Sequence, residues 1–234
     1  MEPIRPNNSL NAEHVVYCAS SGGGKTSAVK KLGLLKATDQ IVFLDPYDDY
    51  SGEFLGRKVR TYTKWAEFYR ALVAARKSNQ GFKIAMRPPK ATPDALERFS
   101  KIVWACGNGH HAKPLKVVFE ELAKMVVTSS KADGHFGEIL TGGRKFALHA
   151  HCCFQRGQEI PKTVFGQAAY KWIGLQERRK DAKYLSDELD IPVDVIAKLP
   201  KPKAVGHIEY VLKDPSHVMG EYKHSKFSFP KKAA

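Results

Sequence analysis

The chain has 234 residues, with 38 lysines and arginines against 24 acidic residues and a formal net charge of +14. A hydrophobic share of 43% supports a sizeable core and excludes a largely disordered chain. No stretch approaches the ~20 apolar residues of a membrane span, "MEPIRPNNSLN" lacks the apolar run of a secretory signal, and the surplus of positive charge points to a polyanion, nucleic acid being the commonest.

Short apolar runs alternate with helical patterns along the chain. His14–Cys18 reads as a strand, followed by a glycine-rich loop and a helix from Lys25 to about Lys36. Ile41–Leu44 is a second strand, stopped by "DPYDDYSG", and Lys58–Tyr62 a small third one. Trp65, Phe68, Tyr69, Leu72 and Val73 fall at helical spacing. "FKIAM" at 82–86 is a strand, and Thr92 with Pro93 opens a helix that buries Leu96, Phe99, Ile102, Val103 and Cys106.

Leu115–Phe119 is a strongly apolar strand, "FGEILTGGRK" a short helix ending in glycines, and "FALHAHCCF" at 146–154 the next strand. "YKWIGL" reads as one more strand, Arg178–Leu189 as a charged helix, and Ile191–Leu199 as a short one. "AVGHIEYVLK" reads as an edge strand, with a basic, loose tail after it. The fold class that follows is α/β: a mostly parallel central sheet flanked by helices on both faces. We divide the chain into an N-terminal extension, 1–12, a central α/β domain, 13–212, and a basic tail, 213–234.

Ala19-Ser20-Ser21-Gly22-Gly23-Gly24-Lys25-Thr26 matches the P-loop pattern, with Ala in place of its first Gly. Small residues let consecutive backbone N–H groups curl around a phosphate, and the following helix turns its positive end toward it. Lys25 reaches the β- and γ-phosphates, and the Thr26 hydroxyl ligates Mg²⁺. Residues Ser20, Ser21, Gly22, Gly23, Gly24, Lys25, Thr26 and Ser27 are the expected nucleotide contacts, and ATP with Mg²⁺ the expected cofactors.

A P-loop needs an acidic partner at the tip of another strand. "LKVVFEEL" supplies Glu120 and Glu121, the first for the metal and the second to polarise the attacking water. Glu120 stands where Asp is usual. Two consecutive acids favour hydrolysis over transfer to a bound acceptor.

With these residues in place, the chain resembles the FtsK–HerA superfamily of RecA-like P-loop DNA-translocating ATPases. "FLDPYDDY" is similar to the family's strand ending in Asp-Pro and a later Tyr. "GGRK" stands before the next strand, where the family carries an arginine. "CCFQRGQEIP" looks like its Gln-Arg-Pro stretch, with Gly157 where Pro often stands. The matching stretch runs from about 13 to 176. Short members of this group include the genome-packaging ATPases of tailless, membrane-containing viruses such as tectiviruses, which this compact, basic chain resembles most.

The resemblance implies roles residue by residue. Asp45 tunes the metal or water, Gln155 senses the γ-phosphate, and Arg144 is the trans-acting finger of a ring, with Arg87 in reserve. It also implies double-stranded DNA as partner, a hexameric ring, and portal, vertex or capsid proteins if the source is viral. The location would then be virion or host cytoplasm, and otherwise cytoplasm. On the residues alone, Asp45 before Pro46 also reads as a turn start and Arg144 as a cation at a helix end.

Rival readings are a P-loop nucleotide kinase, a filamentous-phage assembly or conjugation-type ATPase, and a basic nucleic-acid-binding protein with a vestigial loop. The alternating His149, His151 and Cys153, and the looser Cys106, His110 and His111, lack the paired spacing of a zinc site. Buried, hydrogen-bonded histidines are expected instead, and reduced, buried thiols for Cys152 and Cys153. The basic segments 178–183, 198–203 and 223–232 are expected along a DNA path.

Overall fold

A computed structural model of the chain describes residues 2–228. Its strands are β1 (His14–Cys18), β2 (Gln40–Leu44), β3 (Glu53–Phe54), β4 (Arg57–Lys58), β5 (Arg60–Tyr62), β6 (Phe82–Met86), β7 (Leu115–Phe119), β8 (Leu148–Phe154), β9 (Ala168–Ile173), β10 (His207–Lys213) and β11 (Lys223–Ser228). The α-helices are α1 (Lys25–Lys31), α2 (Trp65–Arg76), α3 (Pro93–Ala105), α4 (Gly134–Gly142), α5 (Lys162–Gln167), α6 (Arg179–Leu189), α7 (Val193–Ala197) and α8 (Pro202–Val205).

Nine strands form one sheet in the order β11-β10-β9-β1-β8-β7-β2-β6-β5. The strands from β9 to β5 in that order run parallel, and β10 and β11 add an antiparallel hairpin at one edge. The expected α/β architecture is therefore present. Strands β2, β6 and β8 are buried along their whole length, which explains their mainly apolar composition, and Lys83, His149 and His151 are buried within them.

Right-handed crossovers decide which helix lies where. From β1 to β2 and from β2 to β5 the chain moves toward one edge; from β5 through β6, β7 and β8 to β9 it moves back. The two directions place their connections on opposite faces. Accordingly α1 packs Ala28 and Val29 with Tyr17, Phe43, Tyr50 and Phe54, while α2, α3, α4 and α5 pack Phe68, Phe99, Ile139 and Phe165 on the other side. Flanking is thus uneven: one face carries α1 and the aromatic β3–β4 hairpin, the other most of the helices.

Several expected boundaries move, for local reasons. Helix α1 stops at Lys31 rather than Lys36, because Gly33 takes a left-handed conformation, φ 81°. The small strand expected at 58–62 splits at Val59, whose N–H instead bonds Gly52 O at 2.9 Å. Thr92 caps α3 as expected, accepting from Ala95 N–H at 3.2 Å.

The expected edge strand is internal. Lys223–Ser228, read as part of a loose tail, pairs along β10 from Leu212↔Lys223 to His207↔Ser228 and forms the true edge. Its alternating Lys, Ser and Phe gave a weak strand pattern beside a strongly basic composition. Residues 229–234 of the expected basic segment and tail lie outside the described residues.

Residues 2–12 lie along the base of the sheet, held by Ile4 N to Gly107 O at 3.0 Å and by Trp104 Nε1 to Glu2 Oε2 at 2.9 Å. Among the described residues no helix is long and apolar enough to cross a membrane.

Candidate nucleotide-binding site

In an open parallel sheet, ligands sit where neighbouring strands send their connections to opposite faces. Here β1 leaves toward α1 and its neighbour β8 leaves toward α5. The crevice between their carboxyl ends holds the glycine-rich loop on one side and Gln155 on the other.

The loop's shape is built into its residues. Gly22 and Gly24 have φ of 72° and 94°, where any other residue is strained. A side chain on Gly23 would sit 2.8 Å from Ala19 Cβ and 2.9 Å from Ser20 O, and one on Gly24 would sit 2.7 Å from Ile208 Cδ1 of β10. So the loop is closed from behind by its own turn and by the hairpin, leaving only its open side for a ligand.

Hydrogen bonds fix it in place. Ser20 N–H donates to Leu175 O at 2.9 Å, Gly23 N–H to Ser20 O at 2.9 Å, and Glu177 N–H to Ser20 Oγ at 3.1 Å. Lys25 is buried with its Nζ donating to Ala19 O at 3.0 Å, so the ammonium closes the turn from inside. Thr26 and Ser27 follow in the first turn of α1, both half-buried, while Ser21 is exposed on the loop.

Three carboxylates, Asp45, Glu120 and Glu121, stand at the same ends of β2 and β7. Glu120 continues β7 and donates its N–H to Leu44 O at 3.1 Å; Asp45 continues β2 and donates to Met86 O at 3.0 Å. Both side chains are buried. Asp45 accepts from Asp49 N–H at 2.9 Å and Tyr50 N–H at 3.0 Å, an arrangement that suits the turn reading.

Tyr50, itself fully buried, donates its hydroxyl to Glu120 Oε1. One tyrosine thus ties both acids together, a link that spacing alone did not reveal. Burial pushes the Glu120 carboxyl up to about 7, against the Tyr50 hydrogen bond and the nearby Lys25, which act downward. Burial likewise raises Asp45. Desolvated carboxyls near a phosphate loop have the oxygen-donor chemistry of a hard divalent cation such as Mg²⁺, and among the described residues no three His, Cys, Asp or Glu side chains cluster into a metal site of their own.

Glu121 is half-buried and has a left-handed backbone, φ 49° and ψ 41°. That conformation costs a non-glycine residue about 1 kcal/mol or more. It swings the side chain off the alternation of β7 toward β8, where Gln155 Nε2 donates to its two oxygens at 3.1 and 3.2 Å.

The structure therefore brings together Lys25, Thr26, Asp45, Glu120, Glu121 and Gln155. Arg144 lies elsewhere: it sits in the turn before β8, at the opposite end of that strand. There its guanidinium donates to Asn8 O at 3.1 Å and Leu10 O at 2.9 Å. Arg87, after β6, is on the crevice side and pairs with Asp48 at 2.7 Å.

The sequence reading missed Tyr50 as a ligand positioner, and also missed His14. Its Nδ1 accepts from Ala150 N–H at 2.9 Å, and its Nε2 therefore donates to Leu140 O at 3.1 Å. Burial pushes this imidazole down to about 4. His149 meets Lys116 at 3.0 Å and Glu13 at 3.2 Å, while His151 meets Tyr17 OH at 3.1 Å through Nδ1 and leaves its buried Nε2 without a partner among the described residues. Cys18, Cys152 and Cys153 are buried free thiols, and burial raises all three.

No family model matches the chain. Protein P9 of Pseudoalteromonas phage PM2 is 28% identical over 205 residues, spanning 87% of this chain and 86% of P9. The genome packaging NTPase B204 of Sulfolobus turreted icosahedral virus 2, solved with AMPPCP, aligns with a TM-score of 0.66 at 12% identity, covering 91% of this chain and 96% of that one. The plasmid coupling protein TrwB, bound to an ATP analogue, aligns at 0.60 and 13% identity over 94% and 86%. VirB4 of Thermoanaerobacter pseudethanolicus aligns at 0.56 and 10% identity over 93% and 90%. The resemblance drawn from the motifs is borne out: the chain has the P-loop fold of viral genome-packaging and plasmid-coupling ATPases, and a sequence similar to a protein of phage PM2.

Proposed function

We propose that the chain is an ATP-driven double-stranded-DNA translocase that packages a viral genome into its capsid, working as a ring, of six subunits, with ATP hydrolysed between neighbours. The observation that carries this reading is the Gln155–Glu121 contact in the crevice beside Lys25. A polar residue at the tip of the strand between the phosphate loop and the acids stands ready to report whether a γ-phosphate is present. The likeness to packaging NTPases, and to a phage protein over most of its length, supports the viral assignment.

Mg²⁺–ATP, when bound, supplies the reactive γ-phosphoryl group and the charge that must be neutralised. Lys25 and the amides of Ser20 to Ser27 would hold its phosphates; Thr26, Glu120 and Asp45 would hold the metal and its water. Glu121 orients and polarises the attacking water, and Gln155, released from Glu121, turns to the γ-phosphate. The charge of transfer is completed by an arginine from the neighbour in the ring. Arg144 is the candidate, which requires its bonds to the Asn8 and Leu10 carbonyls to yield on assembly, and Arg87, paired with Asp48, is the reserve. Exposed cations at 178–183 and 198–203 contact DNA phosphates, which gives affinity without sequence preference.

The test is ATP turnover with and without double-stranded DNA. Stimulation by duplex, lost at high salt, is expected; a rate indifferent to any DNA overturns the motor. The likeness to TrwB and VirB4 favours a second reading, a conjugation-type ATPase. Stimulation by single-stranded but not duplex DNA would favour it.

A further inference from the structure

The residue after Gln155 is already committed to another element. Arg156 donates from Nε to Asp181 Oδ2 and from Nη2 to Asp181 Oδ1, both at 3.3 Å, and from Nη1 to Glu159 Oε1 at 2.6 Å. Asp181 lies in the first turn of α6 with a side chain only 4% exposed. Gln158 Nε2 adds a 2.8 Å bond to Asp181 Oδ1. Because Asp181 can only accept, this fixes the Gln158 amide and leaves its Oε1 buried without a donor among the described residues.

Gly157 seals the same junction by shape. A side chain there would stand 2.9 Å from Tyr184 Cε1 and 3.0 Å from Leu185 Cδ2. Asp181, Tyr184 and Leu185 are spaced to share one face of α6. That face is gripped by the 156–158 tip, while Arg179, Lys180 and Lys183 are exposed on the helix.

We propose that the Arg156–Asp181 pair and the Gly157 contact form a rigid joint through which movement of Gln155 at the nucleotide is transmitted to α6 and its exposed cations. The proposal rests on the translocase reading and names the element that couples its site to DNA. Arg156 and Asp181 are positioning residues: neither lies at the phosphates, but both set how α6 follows the β8 tip. The bidentate geometry suits transmission, because two parallel bonds fix orientation as well as distance.

Two readouts test it on the full chain. The first is amide hydrogen exchange of α6 with and without AMPPCP and Mg²⁺. Nucleotide is expected to change exchange in α6 of the wild type, but not in Arg156→Ala or Asp181→Asn, while the loop at 20–27 gains protection in all three. The second is ATP turnover, where both variants keep the basal rate and their stimulation ratio by duplex DNA falls to about one. The swapped pair, Arg156→Asp with Asp181→Arg, is expected to recover part of it, which loss of fold would not.

Wild-type α6 exchange that ignores nucleotide, or variants that respond as the wild type does, overturns the joint. Absence of DNA stimulation in the wild type overturns instead the translocase reading, and the exchange arm, which contains no DNA, separates the two failures.

Discussion

Gln155 Nε2 spans both oxygens of the Glu121 carboxylate, at 3.1 and 3.2 Å, across the gap between β8 and β7. The amide satisfies the acid in this state, so water activation requires the pair to part. Gln155→Ala frees Glu121 but removes the group that reports the γ-phosphate. Its basal hydrolysis is expected to fall about 10- to 100-fold with nucleotide affinity within about threefold. Glu121→Gln is expected to lose about 10²- to 10⁴-fold in rate, as for removal of a general base. Steady-state turnover beside equilibrium nucleotide titration checks both.

The backbone of Glu121 allows a separation of stability from activity. At φ 49° the residue is strained, and glycine relieves that strain while adding flexibility to the unfolded chain. Glu121→Gly is expected to unfold within about 1 kcal/mol of the wild type, yet to lose hydrolysis as fully as Glu121→Gln. Urea melts and ATP turnover measure the two sides. A loss of several kcal/mol would show that the side chain, not the backbone, stabilises the turn.

Lys25 is buried and its Nζ donates to Ala19 O. Lys25→Ala therefore removes one internal hydrogen bond, a loss of about 1 kcal/mol in stability, while removing the cation that meets the phosphates. Hydrolysis is expected to vanish with the circular dichroism spectrum unchanged. Full turnover by this variant would overturn the nucleotide assignment.

His14 predicts an acid limit to stability. Its folded value of about 4 lies below the ordinary 6.5, so the unfolded chain binds the proton more readily between those values. The stabilising neutral form is intact above pH 6.5 and its advantage is lost as pH falls toward 4, at most about 3 kcal/mol. His14→Gln, whose amide can both accept from Ala150 N–H and donate to Leu140 O, is expected to flatten Tm over that window. Parallel Tm profiles for the two proteins would refute it.

Much of this architecture is legible in the residues themselves. The octet Ala19–Thr26 announces a phosphate loop because curling consecutive N–H groups demands small residues in fixed order, whatever surrounds them. The short apolar runs at β2, β6 and β7 declare buried strands, since a parallel sheet covered on both faces leaves no polar side. The acids of β7 were readable as the strand-tip partner that a phosphate loop needs, and Gln155 through the resemblance to the translocases.

Tertiary structure decided what periodicity cannot carry: which strand lies beside which, and therefore which tips meet. Pairing of β8 between β1 and β7 sets Gln155 against Glu121, although 34 residues separate them in the chain. Packing of the β2 loop sets Tyr50 on Glu120 from 70 residues away, and the fold alone shows Arg144 at the far end of β8. Even Gly157 acquired its reason only from Tyr184 and Leu185 of α6. A sequence pattern reports how each segment solvates itself; long-range burial and hydrogen bonding choose its neighbours, and those neighbours make the site.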